Sequence, residues 1–349
     1  MAIPHFRFAI ATTLLAIWSL PTASTWAEET VPEVTVRCIW DAGRHNAFTD
    51  LIRHDGKFYC AFREADHHVP RDRSGDGKAR VLVSEDGQTW ASAGLIELDG
   101  VDLRDPKLSV TPEGKIMVVM GGSHYERGKL LKRVPTAALL NPQTGKIEPP
   151  VSLKIDSEIA GNEDWLWRVT WHKGVGYGVV YQPARSSWGT HLVKTTDGLQ
   201  YDLVHTLKLP GKPNESTVRF TPEGEMRIVV RNEDGKPRGH LGIANPPYTE
   251  FTWQEINHKL GGPNIVQLPG GDWVLGSRAY GKPTQTVLGI LSDDGKFDRR
   301  ITLPSGGDTS YPGLLVHEGE LWVSYYSSHE GKSAIYLATV PLERFTQGR

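Results

Sequence analysis

The chain has 349 residues, 38% hydrophobic and 23% charged, a composition that excludes disordered, fibrous and multi-span membrane classes. Its 39 Lys and Arg stand against 41 Asp and Glu, leaving a net charge of −2 without the basic footprint a phosphate backbone requires, so nucleic acid is not an expected partner. With 37 Gly and 23 Pro, turns must be frequent, and length alone leaves one or two domains open.

Residues 1–27 read as a secretory signal peptide: Arg7 in the n-region, an apolar run from Ala9 to Leu20, then small residues at Thr25 and Ala27. The run is short for a bilayer span, which needs about 20 residues. The expected location is therefore secreted or periplasmic, with no membrane span after cleavage. Export permits a bridge between Cys38 and Cys60; two buried free thiols on neighbouring strands are the other reading.

From residue 33 onward one phrase recurs: an alternating strand, a tight turn ending in Gly, and a second apolar strand. It occupies 47–64, 105–122, 168–182, 215–233, 262–280 and 310–328, with turn glycines Gly56, Gly114, Gly174, Gly224, Gly271 and Gly319. Asp-Gly, Glu-Gly and Gly-Gly between alternating runs are hairpin signals, because these turns need a positive φ. Most repeats are followed by a second hairpin, at 81–90, 138–147, 192–201, 241–253 and 288–297. Four strands at a period near 50 residues make one propeller blade. The expected fold is all-β: a single six-bladed β-propeller over 33–345. The last repeat has only a third strand (333–340) while 33–40 stands unpaired, so the N-terminal strand is expected to complete the last blade.

Several residues fall on the rim of such a ring. Arg63, Arg231 and Arg278 each lie seven residues past their turn glycines, which suits an anion cradle or three separate pairings with neighbouring acids such as Glu64 or Glu233. Arg104-Asp105 and Trp165-Leu166-Trp167-Arg168 enter inner strands at the level of Asp50. Trp165 or Trp167 can stack on a sugar or pack between blades, and Arg104 with Asp105 can clamp a ligand or brace loops. His67, His68 and Asp72 share a loop without the spacing of a recognised metal site, and no cofactor or metal is expected.

The stretch Ser84-Glu85-Asp86-Gly87-Gln88-Thr89-Trp90 resembles the Asp-box of the sialidase (neuraminidase) superfamily, S-x-D-x-G-x-T-W, with one spacer missing; 196–201 and 292–295 resemble degraded copies. Glu215 and Arg231 sit around the fourth turn where that family keeps its tyrosine-activating Glu and a carboxylate-binding Arg, and Tyr311 sits where it keeps its nucleophile. The resemblance implies an exported retaining glycosidase acting on a terminal acidic sugar. Tyr311 would attack, Glu215 would take its proton and Asp72 would protonate the leaving oxygen, with Asp66 and Asp76 as alternatives in the same loop. Arg63, Arg231, Arg278, Arg104, Arg168, Asp50 and Trp167 would bind the glycan. The sequence departs from the family at its first arginine, where Asn46-Ala47-Phe48-Thr49-Asp50 stands. A non-catalytic carbohydrate-binding propeller and a protein-docking scaffold are the competing readings.

Overall fold

The computed structural model describes residues 1–2, 33–69, 75–127, 129–183, 188–234 and 238–346. Met1–Val31 and Pro32–Arg349 are separate units, and the segment read as a signal peptide lies almost wholly outside the described residues. Among the described residues no helix is long and apolar enough to cross a membrane.

The second unit is a six-bladed β-propeller. Blade 1 is His45–His54, Lys57–Ala65, Lys78–Ser84 and Ala91–Ile96. Blade 2 is Val101–Val110, Ile116–Glu126, Lys129–Leu140 and Val151–Ser152. Blade 3 is Trp165–His172, Val175–Gln182, Gly189–Thr195 and Gln200–Thr206. Blade 4 is Pro213–Phe220, Met226–Asn232, His240–Ala244 and Thr252–Glu255. Blade 5 is Asn264–Gln267, Trp273–Ala279, Gln285–Leu291 and Phe297–Leu303. Blade 6 joins Thr309–His317, Glu320–Ser327 and Ala334–Pro341 to the N-terminal Thr35–Trp40, which pairs antiparallel with Ala334–Pro341. The ring is thus closed by the two ends of the chain, which removes the exposed edges of an open array. One feature went unanticipated: Lys154–Ile155 adds a parallel strand to the outer edge of blade 3.

Blades adhere through apolar faces. Tyr59, Ala61 and Val81 of blade 1 pack on Leu103, Leu108, Ile116 and Val118 of blade 2, and Val229 and Leu241 of blade 4 on Ile265 and Leu275 of blade 5. The second strands, such as Ile116–Glu126 and Met226–Asn232, are buried on both faces and carry apolar runs rather than strict alternations. The turn at Ser84–Trp90 is stapled from within. Gly87 N–H donates to Ser84 Oγ, and the amides of Gln88 and Thr89 donate to Asp86 Oδ1, all at 2.8 Å. Thr195 and Asp197 repeat the arrangement in blade 3. Cys38 and Cys60 are both free thiols, the first exposed and the second buried.

The axis of the ring is polar. Arg168 of blade 3 reaches Asp50 of blade 1 at 2.5 Å, and the same carboxylate oxygen accepts Leu108 N–H from blade 2. Thr49 Oγ1 donates to Tyr311 O, Asn264 Nδ2 to Pro312 O and Thr217 Oγ1 to Pro263 O, so side chains of one blade fasten the backbone of the next. Lys107 is buried among the carbonyls of Phe48, Thr49 and Pro106, and burial lowers its pKa to about 8.

This lysine carries a stability prediction. An unfolded lysine titrates near ~10.4, so above about pH 8 the unfolded chain holds a proton that the folded chain has released, and stability rises with pH across that window. Lys107→Met is therefore expected to be more stable than the parent at pH 7, with the difference shrinking by about 1–3 kcal/mol as the pH is raised to about 9.5. Urea unfolding at both pH values measures this; a pH-independent difference would refute the assignment.

Candidate active site

The inner strands share an irregularity that builds the site. Their register with the second strand slips between Ala47 and Asp50, Arg104 and Lys107, Leu166 and Val169, Pro213 and Ser216, and Ser310 and Gly313. Such bulges re-aim side chains out of the pleat. At these positions Phe48, Asp105 and Tyr311 have φ of 65°, 51° and 55°, and Gly262 at the start of blade 5 has 58°. A left-handed backbone is uncommon for residues with a Cβ and clusters at functional sites. Phe48, Asp105 and Tyr311 line one cleft together with Glu215, Arg104, Arg133 and Trp165.

At its floor Tyr311 Oη donates to Glu215 Oε1 at 2.7 Å. Arg231 approaches the same Oε1 at 2.6 Å and Tyr311 Oη at 3.3 Å, while Gly262 N–H donates to Glu215 Oε2 at 2.8 Å. Burial opposes ionisation of Glu215, but Arg231, the Tyr311 hydroxyl and the Gly262 amide outweigh it and hold the carboxyl below its ordinary value. Burial and the adjacent Glu215 charge push Tyr311 well above the ordinary phenol range. The resting pair is therefore a neutral phenol bonded to a carboxylate, a geometry in which the phenol proton can pass to Glu215. The ring is held by Phe48 at 5.0 Å, Trp167 at 5.7 Å and Tyr326 at 6.0 Å between centroids.

The three arginines at one repeat spacing do not meet. Arg278 lies over the Tyr311 ring at 5.3 Å and donates to Thr309 O and Tyr326 Oη, and Arg231 sits on the Tyr311–Glu215 pair and contacts Glu233. Arg63 is fully buried elsewhere, with Nε and an Nη on Asp102 Oδ1 at 2.9 and 2.7 Å. Equal spacing from the turn glycine misleads here. The blade 1 hairpin turns within Asp55 and Gly56 whereas that of blade 4 runs from Phe220 to Met226, so Arg63 pairs with Ala47 beyond the slip while Arg231 lies opposite it.

Other residues expected at the cleft lie beneath it. Asp50 and Arg168 are spent on each other at the axis, with side chains 1% and 3% exposed, and Trp167 is 1% exposed under Tyr311, so none presents a face to a ligand. Trp165 lines the cleft instead, and Arg104 joins it while bonding Asp102 and His68 O rather than Asp105. Asp72 lies outside the described residues. Asp66 and Asp76 line a separate depression with Arg44 and Glu64.

The cleft, of about 440 Å³, adjoins a second depression of about 530 Å³ through Arg133, Trp165 and Glu215; the latter also holds Trp188, Lys212, Arg231 and Glu233. Together they fit two or more sugar-sized groups. Their cations Arg104, Arg133, Lys212 and Arg231 are interleaved with the acidic side chains of Asp105, Glu163, Glu215 and Glu233. One cluster of metal-ligand types occurs among the described residues: His45, His68 and Asp308. There Asp308 takes hydrogen bonds from both imidazoles and from Tyr326 Oη, and those bonds, outweighing burial, hold its carboxyl well below the usual range. The cluster orients Tyr326 and, through it, Arg278.

Sequence reasoning missed Gly262 as part of this site. A signal was present in the dipeptides Asp105-Pro106, Gly262-Pro263 and Tyr311-Pro312, a Pro recurring at the entrance to three inner strands.

No family model and no curated protein matches the sequence. Solved structures do. A protein of unknown function from Dyadobacter fermentans superposes with a TM-score of 0.75 at 20% identity, over 89% of this chain and 100% of its own. A Trypanosoma rangeli sialidase in complex with the inhibitor DANA gives 0.67 at 12% identity over 88% of this chain, which spans 60% of that sialidase. A Penicillium chrysogenum α-L-arabinanase complexed with arabinobiose gives 0.69 at 14%, over 89% of this chain and 99% of its own. At these identities the likeness establishes the fold alone, a sialidase-like six-bladed propeller.

Proposed function

We propose that this protein is a retaining glycosidase that removes a terminal sugar from a glycan, with Tyr311 as nucleophile and Glu215 as its base. The observation that carries the reading is the 2.7 Å hydrogen bond from a buried neutral phenol to a buried carboxylate, at the floor of an open cleft. Such a pair is chemically economical where an anionic nucleophile would be repelled by an acidic substrate. An acidic end group would lie against Arg231 and Arg278, which flank Tyr311. The signal peptide read from residues 1–27 would put this activity outside the cytoplasm.

A second reading, a neutral sugar, is favoured by the removal of Arg63 to Asp102, which leaves two arginines rather than three beside Tyr311. Both are tested with one panel of aryl glycosides, sialosides and uronides beside arabinosides and hexosides, followed by mass spectrometry of protein trapped with the matching fluorinated glycosyl fluoride. The expected result is turnover of one class and a glycosyl adduct on the Tyr311 peptide. Saturable glycan binding with no turnover and no adduct would replace the enzyme reading with a binding propeller.

A further inference from the structure

We propose that Asp105 is the group that protonates the leaving oxygen and later deprotonates water, an assignment that rests on the glycosidase reading. Asp105 and Tyr311 occupy corresponding bulges in blades 2 and 6, each left-handed and each followed by a proline, and both line the cleft with Glu215. The residue before a proline is sterically restricted and a left-handed Asp is strained, so this geometry is held by the ring around it. Among the described residues the carboxyl has no structural partner: its neighbour Arg104 bonds Asp102 instead, and Asp105 Oδ1 is buried without a hydrogen bond. An ionised carboxylate in that position would be costly, whereas a protonated one has a hydrogen to offer an incoming oxygen.

The electrostatics agree. Burial raises the Asp105 pKa, and the Glu215 charge adds to it against the opposing pull of Arg104, Lys107 and Arg63. The buried phenols Tyr181 and Tyr326 face it from blades 3 and 6, both neutral well above the ordinary phenol range. His68, Tyr125 and Arg133 complete the titratable and charged lining. Two carboxyl groups on one cleft are thus pushed apart, Glu215 towards the base and Asp105 towards the acid, which is the pattern that separates such roles.

In the first half-reaction Tyr311 Oη bonds to the anomeric carbon as its proton passes to Glu215. The glycosidic C–O bond breaks with its electrons going to the leaving oxygen, which takes the Asp105 proton. In the second, water bonds to the anomeric carbon while giving a proton to Asp105. The Tyr311–sugar bond breaks and the phenolate recovers its proton from Glu215, so the enzyme is regenerated and one water is consumed.

The test uses the full chain with Asp105→Asn, and with Asp105→Gly, which tolerates the positive φ should Asn fold poorly. Each is assayed on a phenyl glycoside, which needs an acid, and a dinitrophenyl glycoside, which does not. We expect kcat/KM to fall about 10²–10⁴-fold on the former and less than about tenfold on the latter, with the alkaline limb of the pH profile lost. Azide should restore turnover of the dinitrophenyl substrate as a glycosyl azide. Equal losses on both substrates would make Asp105 a sugar ligand and overturn the proposal. So would the same leaving-group signature in Asp72→Asn with Asp105→Asn unaffected. Tyr311→Phe is run alongside: full activity there refutes the nucleophile independently of what Asp105 does.

Discussion

Tyr311→Phe is expected to lower kcat/KM by about 10³-fold or more on every substrate, irrespective of leaving group, while the melting temperature moves by no more than a few degrees. The hydroxyl is the only atom removed. It makes two contacts, to Glu215 and Arg231, and the ring packing against Phe48, Trp167 and Tyr326 is untouched. Glu215→Gln is expected to lose a similar factor because an amide cannot accept the phenol proton. The double variant should lose little more than either single one, since two groups that act as a unit are not additive. Full additivity of the two losses would mean that Tyr311 and Glu215 serve separate steps. The measurement is steady-state kinetics on whichever glycoside the panel identifies, with circular dichroism to confirm the fold.

Gly262→Ala is expected to abolish most activity, by about 10²-fold or more, without touching an ionisable group. A Cβ there would lie 2.3 Å from Tyr311 Cγ and 2.6 Å from both Cδ atoms, so the ring must leave its place over Glu215. The same glycine has φ of 58° and supplies the amide that holds Glu215 Oε2. Backbone strain alone accounts for only about 1–2 kcal/mol of stability. Gly271→Ala separates the two effects. That residue has φ of 91° with nothing within 4 Å of its Cβ position, so it should lose comparable stability and keep its turnover. If both variants kept full activity, the phenol's position would be immaterial and the nucleophile would have to be sought elsewhere.

How much of this was readable beforehand depends on what each residue's neighbours are. Turn glycines announce themselves because φ is a local property, and Gly56, Gly114, Gly174, Gly224, Gly271 and Gly319 all have φ between 76° and 104°. Counting from them located the blades, and the spare strands at the two ends indicated how the ring closes. Glu215 and Tyr311 were singled out by the resemblance to the sialidase superfamily rather than by counting. The same counting failed for Arg63, because a hairpin one turn type shorter shifts every later residue on that strand to a different neighbour. It failed again for Asp50, Arg168 and Trp167, where position along the inner strand was legible but depth along the axis was not: a bulge decides which side chains face the cleft and which face the plug of charge beneath it. Gly262 is the subtlest case. Its essential property is the absence of a side chain, and only a neighbour from another blade gives that absence a meaning.

The pairing of Thr35–Trp40 with Ala334–Pro341 joins the first described strand of the propeller to the last, so the contact of greatest sequence separation is also the one that completes the blade carrying Tyr311. Loop closure on that scale is slow relative to hairpin formation. Glu215 and Arg231 belong to blade 4, and their partner comes from a segment made almost a hundred residues later, in a sheet that needs both termini. On the proposed mechanism, a nascent chain would carry Glu215 and Arg231 well before Tyr311, and activity would await the closure of blade 6.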